Sequence, residues 1–146
     1  MSTDEKITKD LVQTLEDGKN GFASAAEKVG DSDDPALASK FREFSHQREQ
    51  FASELRGLAQ AYGDEANESG SIAGAAHRAW IGLKDALTGS DPTAVLKAVE
   101  QGEEHAVSEY EKALQDDISA GLRTVVERQL GEIRQALATV RAHVAA

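Results

Sequence analysis

The chain has 146 residues, 40% of them hydrophobic and only 5% aromatic, enough for one buried core and too few for two. Its 16 Lys+Arg face 26 Asp+Glu, a formal charge of −10, which is the wrong sign for nucleic acid or an anionic membrane surface. With no cysteine there is no disulfide framework, thiol nucleophile or thiolate metal site, and the composition fits a reducing compartment.

The start, Met1 to Lys6, is polar and unlike a signal peptide. Residues 1–5 read as a short polar tail ahead of a single domain over 6–145. The first predicted helix covers 5–29, where Leu11, Leu15, Gly18, Phe22, Ala25 and Val29 recur at alternating steps of four and three. Gly18 and Gly21 look locally like a turn, but Phe22, Ala25 and Val29 continue the register of Leu11 and Leu15, so one continuous helix is expected, ending at Gly30. Asp34-Pro35 reads as an N-cap followed by the first residue of a helix over 35–62, with its seam at Leu37, Phe41, Phe44, Arg48, Phe51, Leu55, Leu58 and Tyr62. Gly63 stops it.

Ser71 is a candidate N-cap for a shorter, Ala-rich helix over 71–88 with Ile72, Ala76, Trp80, Leu83 and Leu87 on one side and Gly89 at its end. The apolar stretch from Ser71 to Leu83 contains His77 and Arg78, so it is no membrane span, and a soluble cytoplasmic protein is expected. Asp91-Pro92 opens a helix over 92–115, with a seam of Leu96, Val99, Glu103, Ala106, Tyr110 and Ala113. Asp116-Asp117 is expected to cap a last helix over 118–144, with Leu122, Val126, Gln129, Ile133, Ala136 and Val140 in its seam. No strand pattern competes.

Four of these helices are long enough to make a bundle, and residues 71–88 are left over. A connection of about 28 residues suits a crossover returning along the outside, which makes the helices it joins parallel. The expected class is all-α, a ferritin-like four-helix bundle with an additional crossover helix between the second and third bundle helices. An antiparallel five-helix array is the other arrangement the lengths allow.

Each seam has one exception, Gly18, Arg48, Glu103 and Gln129, and each lies near the middle of its helix. In near-aligned helices these share a level. The pattern predicts a buried polar centre where Arg48 forks Glu103, Gln129 supplies amide hydrogen bonds and Gly18 makes room, with Glu100 and Glu132 flanking the seams. A buried ion pair of this kind sets helix register. The other reading is a metal centre for iron or manganese, with Glu100, Glu103 and Glu132 as candidate ligands, since paired carboxylates at mid-bundle are what di-iron proteins use.

The runs Asp17-Gly18-Lys19-Asn20-Gly21-Phe22, Gln47-Arg48-Glu49-Gln50-Phe51-Ala52-Ser53-Glu54-Leu55, Gly70-Ser71-Ile72-Ala73-Gly74-Ala75-Ala76-His77-Arg78-Ala79-Trp80 and Glu100-Gln101-Gly102-Glu103, with Tyr110, resemble a family of bacterial ferritin-like four-helix-bundle proteins of unassigned function. The resemblance spans roughly residues 6 to 143. It implies a ferritin-like fold in a cytoplasmic protein, with a connection to stress and without an assigned reaction. Metal-binding members of the wider ferritin-like group use a Glu on each of two helices and a Glu-x-x-His pair on each of the other two. That spacing occurs here once, at Glu43-Phe44-Ser45-His46, but the seam through Phe41, Phe44 and Arg48 turns Glu43 and His46 outward. Carried over residue by residue, the resemblance leaves Glu103, with Glu100 and Glu132, as inward carboxylates and no histidine at mid-height.

Trp80 and His77 are candidates for lining a small-ligand groove beside the crossover; the simpler role for Trp80 is to anchor that helix by its apolar face. The sequence contains no Gly-rich phosphate loop and no Ser-His-Asp signature. The expected function is therefore non-enzymatic: a bundle without a catalytic site or resident cofactor that forms a homodimer or binds a protein partner. A carboxylate metal protein with weak ferroxidase-like activity and a small-ligand carrier are the alternatives.

Overall fold

Four amphipathic helices form the part of the chain that a computed structural model describes, residues 3–31, 34–61 and 92–145. They are α1 (Thr3–Asp31), α2 (Pro35–Ala61), α3 (Pro92–Gln115) and α4 (Ala120–Ala145), with no strand among the described residues. The helix predicted over 71–88, with Trp80 and His77, and the caps predicted at Gly63, Ser71, Gly89 and Asp91 lie outside the described residues.

The ends of the helices follow local chemistry, with three departures from the sequence-based expectation. α1 begins at Thr3, inside the segment expected as a tail, and runs through Gly30 to Asp31. Asp34 caps α2 as expected: its carboxylate accepts the Leu37 N–H at 3.1 Å and its carbonyl the Ala38 N–H at 3.1 Å. At α4 the cap is Ser119, not Asp116-Asp117. The Ser119 hydroxyl accepts the Leu122 N–H at 3.4 Å, its carbonyl accepts the Arg123 N–H at 2.9 Å, and its own N–H reaches Asp4 of α1 at 2.9 Å. The two aspartates stay in the exposed turn, which Arg123 ties down by donating to the Leu114 and Asp116 carbonyls.

The three-four periodicity sorts residues into core and surface. All six seam positions of α1 and all six of α4 are buried, as are Leu37, Phe41, Phe44, Arg48, Phe51 and Leu55 of α2. On α3, Val95 is buried where the spacing predicts Leu96, and Leu96 is only half-buried. Each large apolar side chain withdrawn in this way is worth about 1.5–3 kcal/mol. They form two apolar clusters, one around Leu11, Leu15, Leu55 and Leu122, the other around Phe22, Phe41, Val99 and Val140.

Cross-helix contacts set the directions. Glu16 meets Arg56 and Phe22 meets Phe41, so α1 and α2 are antiparallel. Gln47 meets Glu132 and Glu54 meets Arg128, so α2 and α4 are antiparallel; Glu104 meets Arg141 and Glu111 meets Arg134, so α3 and α4 are too. It follows that α2 and α3 run parallel. α1 packs on α2 and α3, and α4 packs on the same two helices, which leaves α2 and α3 on a diagonal of the bundle. α1 and α2 approach closely where Gly18 and Gly21 are buried, and the Ser45 hydroxyl donates to the Lys19 carbonyl at 2.9 Å.

Candidate functional site

Arg48 occupies a seam position between Phe44 and Phe51, so the helix itself carries its side chain into the core, where 1% of it is exposed. Glu103 is carried inward from α3 in the same way and is fully buried. Across the diagonal, Nη1 and Nη2 of Arg48 donate to the two carboxylate oxygens of Glu103 at 2.5 and 2.8 Å. Planar guanidinium and planar carboxylate match in this fork, which is why arginine and not lysine suits the position. Nε donates to Gln47 at 3.3 Å, and the guanidinium carbon lies 5.2 Å from the centre of the Phe22 ring. That ring is held by Phe41 and Phe44, with centroids at 5.6 and 5.3 Å. Two desolvated charges thus have each other, an amide and an aromatic face in place of water.

A second network adjoins the first. Tyr110, one heptad beyond Glu103 in the α3 seam, is fully buried and donates its hydroxyl to the Gln129 side-chain carbonyl at 2.7 Å. The Gln129 amide donates in turn to the Phe51 carbonyl at 3.3 Å and to Glu54 at 2.9 Å. Arg128, half-exposed, pairs with the other oxygen of Glu54. Burial pushes the Tyr110 hydroxyl far above its ordinary value; the nearby Arg48 charge opposes this and the Glu54 and Glu103 charges add to it. The hydrogen bond from Arg128 holds the Glu54 carboxyl below its ordinary value, against partial burial and with help from Gln129. Arg128 is correspondingly raised by its bond to Glu54.

The structure brings Arg48 and Glu103 together, with Gly18 also buried. Gln129 serves Tyr110 and Glu54, whereas its mid-seam position predicts it beside the Arg48–Glu103 pair. The three carboxylates expected as candidate metal ligands are carried to three separate surroundings. Glu103 faces the core. Glu100 lies 3.6 Å from Arg141 in the groove between α3 and α4, and Glu132 is exposed at the seam between α2 and α4, where it accepts a bond from Gln47 at 3.3 Å. A pair of metal ions at mid-bundle needs about six inward oxygen and nitrogen donors. Both oxygens of Glu103 are taken by Arg48, and no group of three His, Cys, Asp or Glu among the described residues is placed to hold a metal. The donors among the described residues do not fit such a centre. Glu43 and His46 are exposed, Glu43 beside Lys40 and His46 beside Gln50.

Phe22, Tyr110, Gln47 and Glu54 also belong to this centre, and seam spacing alone does not assign them to it. For Tyr110 a signal exists: a phenol at a seam position needs a hydrogen-bond partner once buried. Phe22 looks like any other seam residue. Gln47 and Glu54 border the seam and carry no mark that separates them from solvated neighbours.

Residues 5–116 match the model of a domain of unknown function, DUF2383, which is more than half of the chain. The chain belongs to the DUF2383 family. The matched DUF2383 segment carries Phe22, Arg48, Glu103 and Tyr110, and ends before α4, which supplies Gln129 and Arg128. No curated protein matches the chain.

Proposed function

We propose that this chain is a ferritin-like helical bundle that acts in the cytoplasm without catalysis, as a self-associating or partner-binding protein whose centre is filled by its own side chains and holds no resident metal. The parallel run of α2 and α3 supports the ferritin-like connectivity, because helices in that order are joined by one long crossover. The observation that carries the functional reading is the Arg48 fork on Glu103. A guanidinium neutralises Glu103, the one fully buried carboxylate among the described residues, in the place a metal cation would serve, and bonds both of its oxygens. Tyr110, Gln129 and Glu54 satisfy one another beside it, so these described residues of the centre offer no unpaired acid, base or nucleophile for a reaction. No described helix is long and apolar enough to cross a membrane.

The test is metal content per chain, by mass spectrometry, on protein produced in iron- and manganese-supplemented medium and purified without chelator or nickel affinity. A value near zero supports the reading. Stoichiometric iron or manganese that is lost in a Glu103→Gln variant overturns it and restores the carboxylate metal protein.

A further inference from the structure

Over its middle stretch, between Lys97 of α3 and Glu127 of α4, the face formed by α3 and α4 sets two acids of one helix against two bases of the other. Glu104 and Glu111 of α3 stand about half-exposed opposite Arg141 and Arg134 of α4, at 3.2 and 2.8 Å, beside an open groove of about 600 Å³ whose apolar lining is Val107, Leu137 and Ala138. Arg134 engages Glu111 through Nη2, Arg141 engages Glu104 through Nη2 and Glu100 through Nε at 3.6 Å, and Nη1 of both arginines makes no bond among the described residues. Each carboxylate likewise has acceptor capacity left over.

Resting on the self-association reading above, we infer that this α3–α4 face is the surface through which two copies of the chain pair. The charge pattern selects one symmetry. A twofold axis across the helices would lay α3 on α3 and α4 on α4, acid on acid and base on base. A twofold axis parallel to the helices lays α3 of one copy on α4 of the other at the same height, so that Glu104 of each copy meets Arg141 of the other and Glu111 meets Arg134. Each guanidinium then gains a carboxylate from the other copy in addition to those of its own chain, and the two grooves close on each other. The size is adequate. α3 and α4, with 24 and 26 residues, are about 36–39 Å long. Side by side they present on the order of 700 Å² per copy, close to the roughly 800 Å² per partner of a stable interface.

Size-exclusion chromatography with light scattering, from micromolar to near-millimolar chain, tests this with three proteins: the parent, Arg134→Glu/Arg141→Glu and Glu104→Arg/Glu111→Arg. The altered positions are exposed, and circular dichroism verifies that both variants keep the parent's helicity. The parent is expected to dimerise. Each variant puts one sign at all four of these positions, so its self-association weakens roughly a hundredfold or more. Mixing the two variants is expected to restore a dimer, because all-acid then meets all-base. A parent dimer that survives either reversal overturns this face and leaves self-association standing. A parent that stays monomeric overturns both, and a mixture that stays monomeric overturns the pairing of α3 with α4.

Discussion

Replacing Glu103 by leucine removes both acceptors of the Arg48 fork and leaves a guanidinium that is 1% exposed with no counter-charge. Two charge-assisted bonds are lost, each worth about 1.5–3 kcal/mol, and breaking a buried pair by removing one partner costs about 3–5 kcal/mol. For a domain whose whole stability is about 5–15 kcal/mol, the variant loses from about a fifth of it to nearly all. With a urea slope of about 2 kcal/mol/M, the midpoint of unfolding followed by far-ultraviolet circular dichroism falls by about 1.5–2.5 M. Arg48→Met, which strands the carboxylate instead, loses a similar amount. The double variant Arg48→Met/Glu103→Leu buries no charge, and its methionine can still lie against the Phe22 ring. It is expected to return to within about 1–2 kcal/mol of the parent or to exceed it. The double-mutant cycle therefore yields a coupling of at least about 3 kcal/mol. A Glu103→Leu variant within about 0.5 kcal/mol of the parent, or a coupling below about 1 kcal/mol, would refute the claim that the two charges depend on each other.

Tyr110→Phe leaves the Gln129 carbonyl buried without its donor and is expected to cost about 1–3 kcal/mol in the same urea assay; a neutral result would mean that water reaches the site. Gly57→Ala and Gly131→Ala, in helix interiors where an added Cβ meets nothing within 4 Å, are expected to stabilise by about 0.5–1 kcal/mol each. A fall in thermal midpoint for either would contradict the open space around it. Asp34→Ala removes the α2 cap and is expected to cost about 0.5–2 kcal/mol, largely recovered by Asp34→Ser. Stability should also fall in acid. Glu54 is held below its ordinary 4.5 chiefly by the Arg128 hydrogen bond. Partial burial pushes Glu16 upward, but the Arg56 bond and the Lys19 and Arg56 charges outweigh it and hold this carboxyl below 4.5 as well. The contribution of both groups is complete above the ordinary value and is lost as pH drops through the lower folded values. Urea midpoints should decline below pH 4.5, and Arg128→Gln with Arg56→Gln should make the decline shallower; an unchanged decline would assign it to other carboxylates.

The sequence by itself determined the inward seams of α1, α4 and most of α2, because an apolar repeat of three and four states that directly, while on α3 it named Leu96 where Val95 is the buried residue. It also showed where proline and aspartate open α2, and that Gly18, Arg48, Glu103 and Gln129 interrupt the four seams near their middles. With one cation and one carboxylate among the four interruptions, charge alone pairs Arg48 with Glu103. Only the tertiary structure decided the remaining neighbours. A seam fixes rotation about one helix axis and says nothing of how far a helix slides or turns against those beside it. That offset gives Gln129 to Tyr110 and Glu54 and places Phe22 of α1 over the Arg48 guanidinium. It also sends Glu100 and Glu132, both flanking positions, into different grooves. The cap of α4 follows the same rule, since the Ser119 N–H is held by Asp4, 115 residues away in the chain, and only the packing of α1 beside that turn brings them within 2.9 Å.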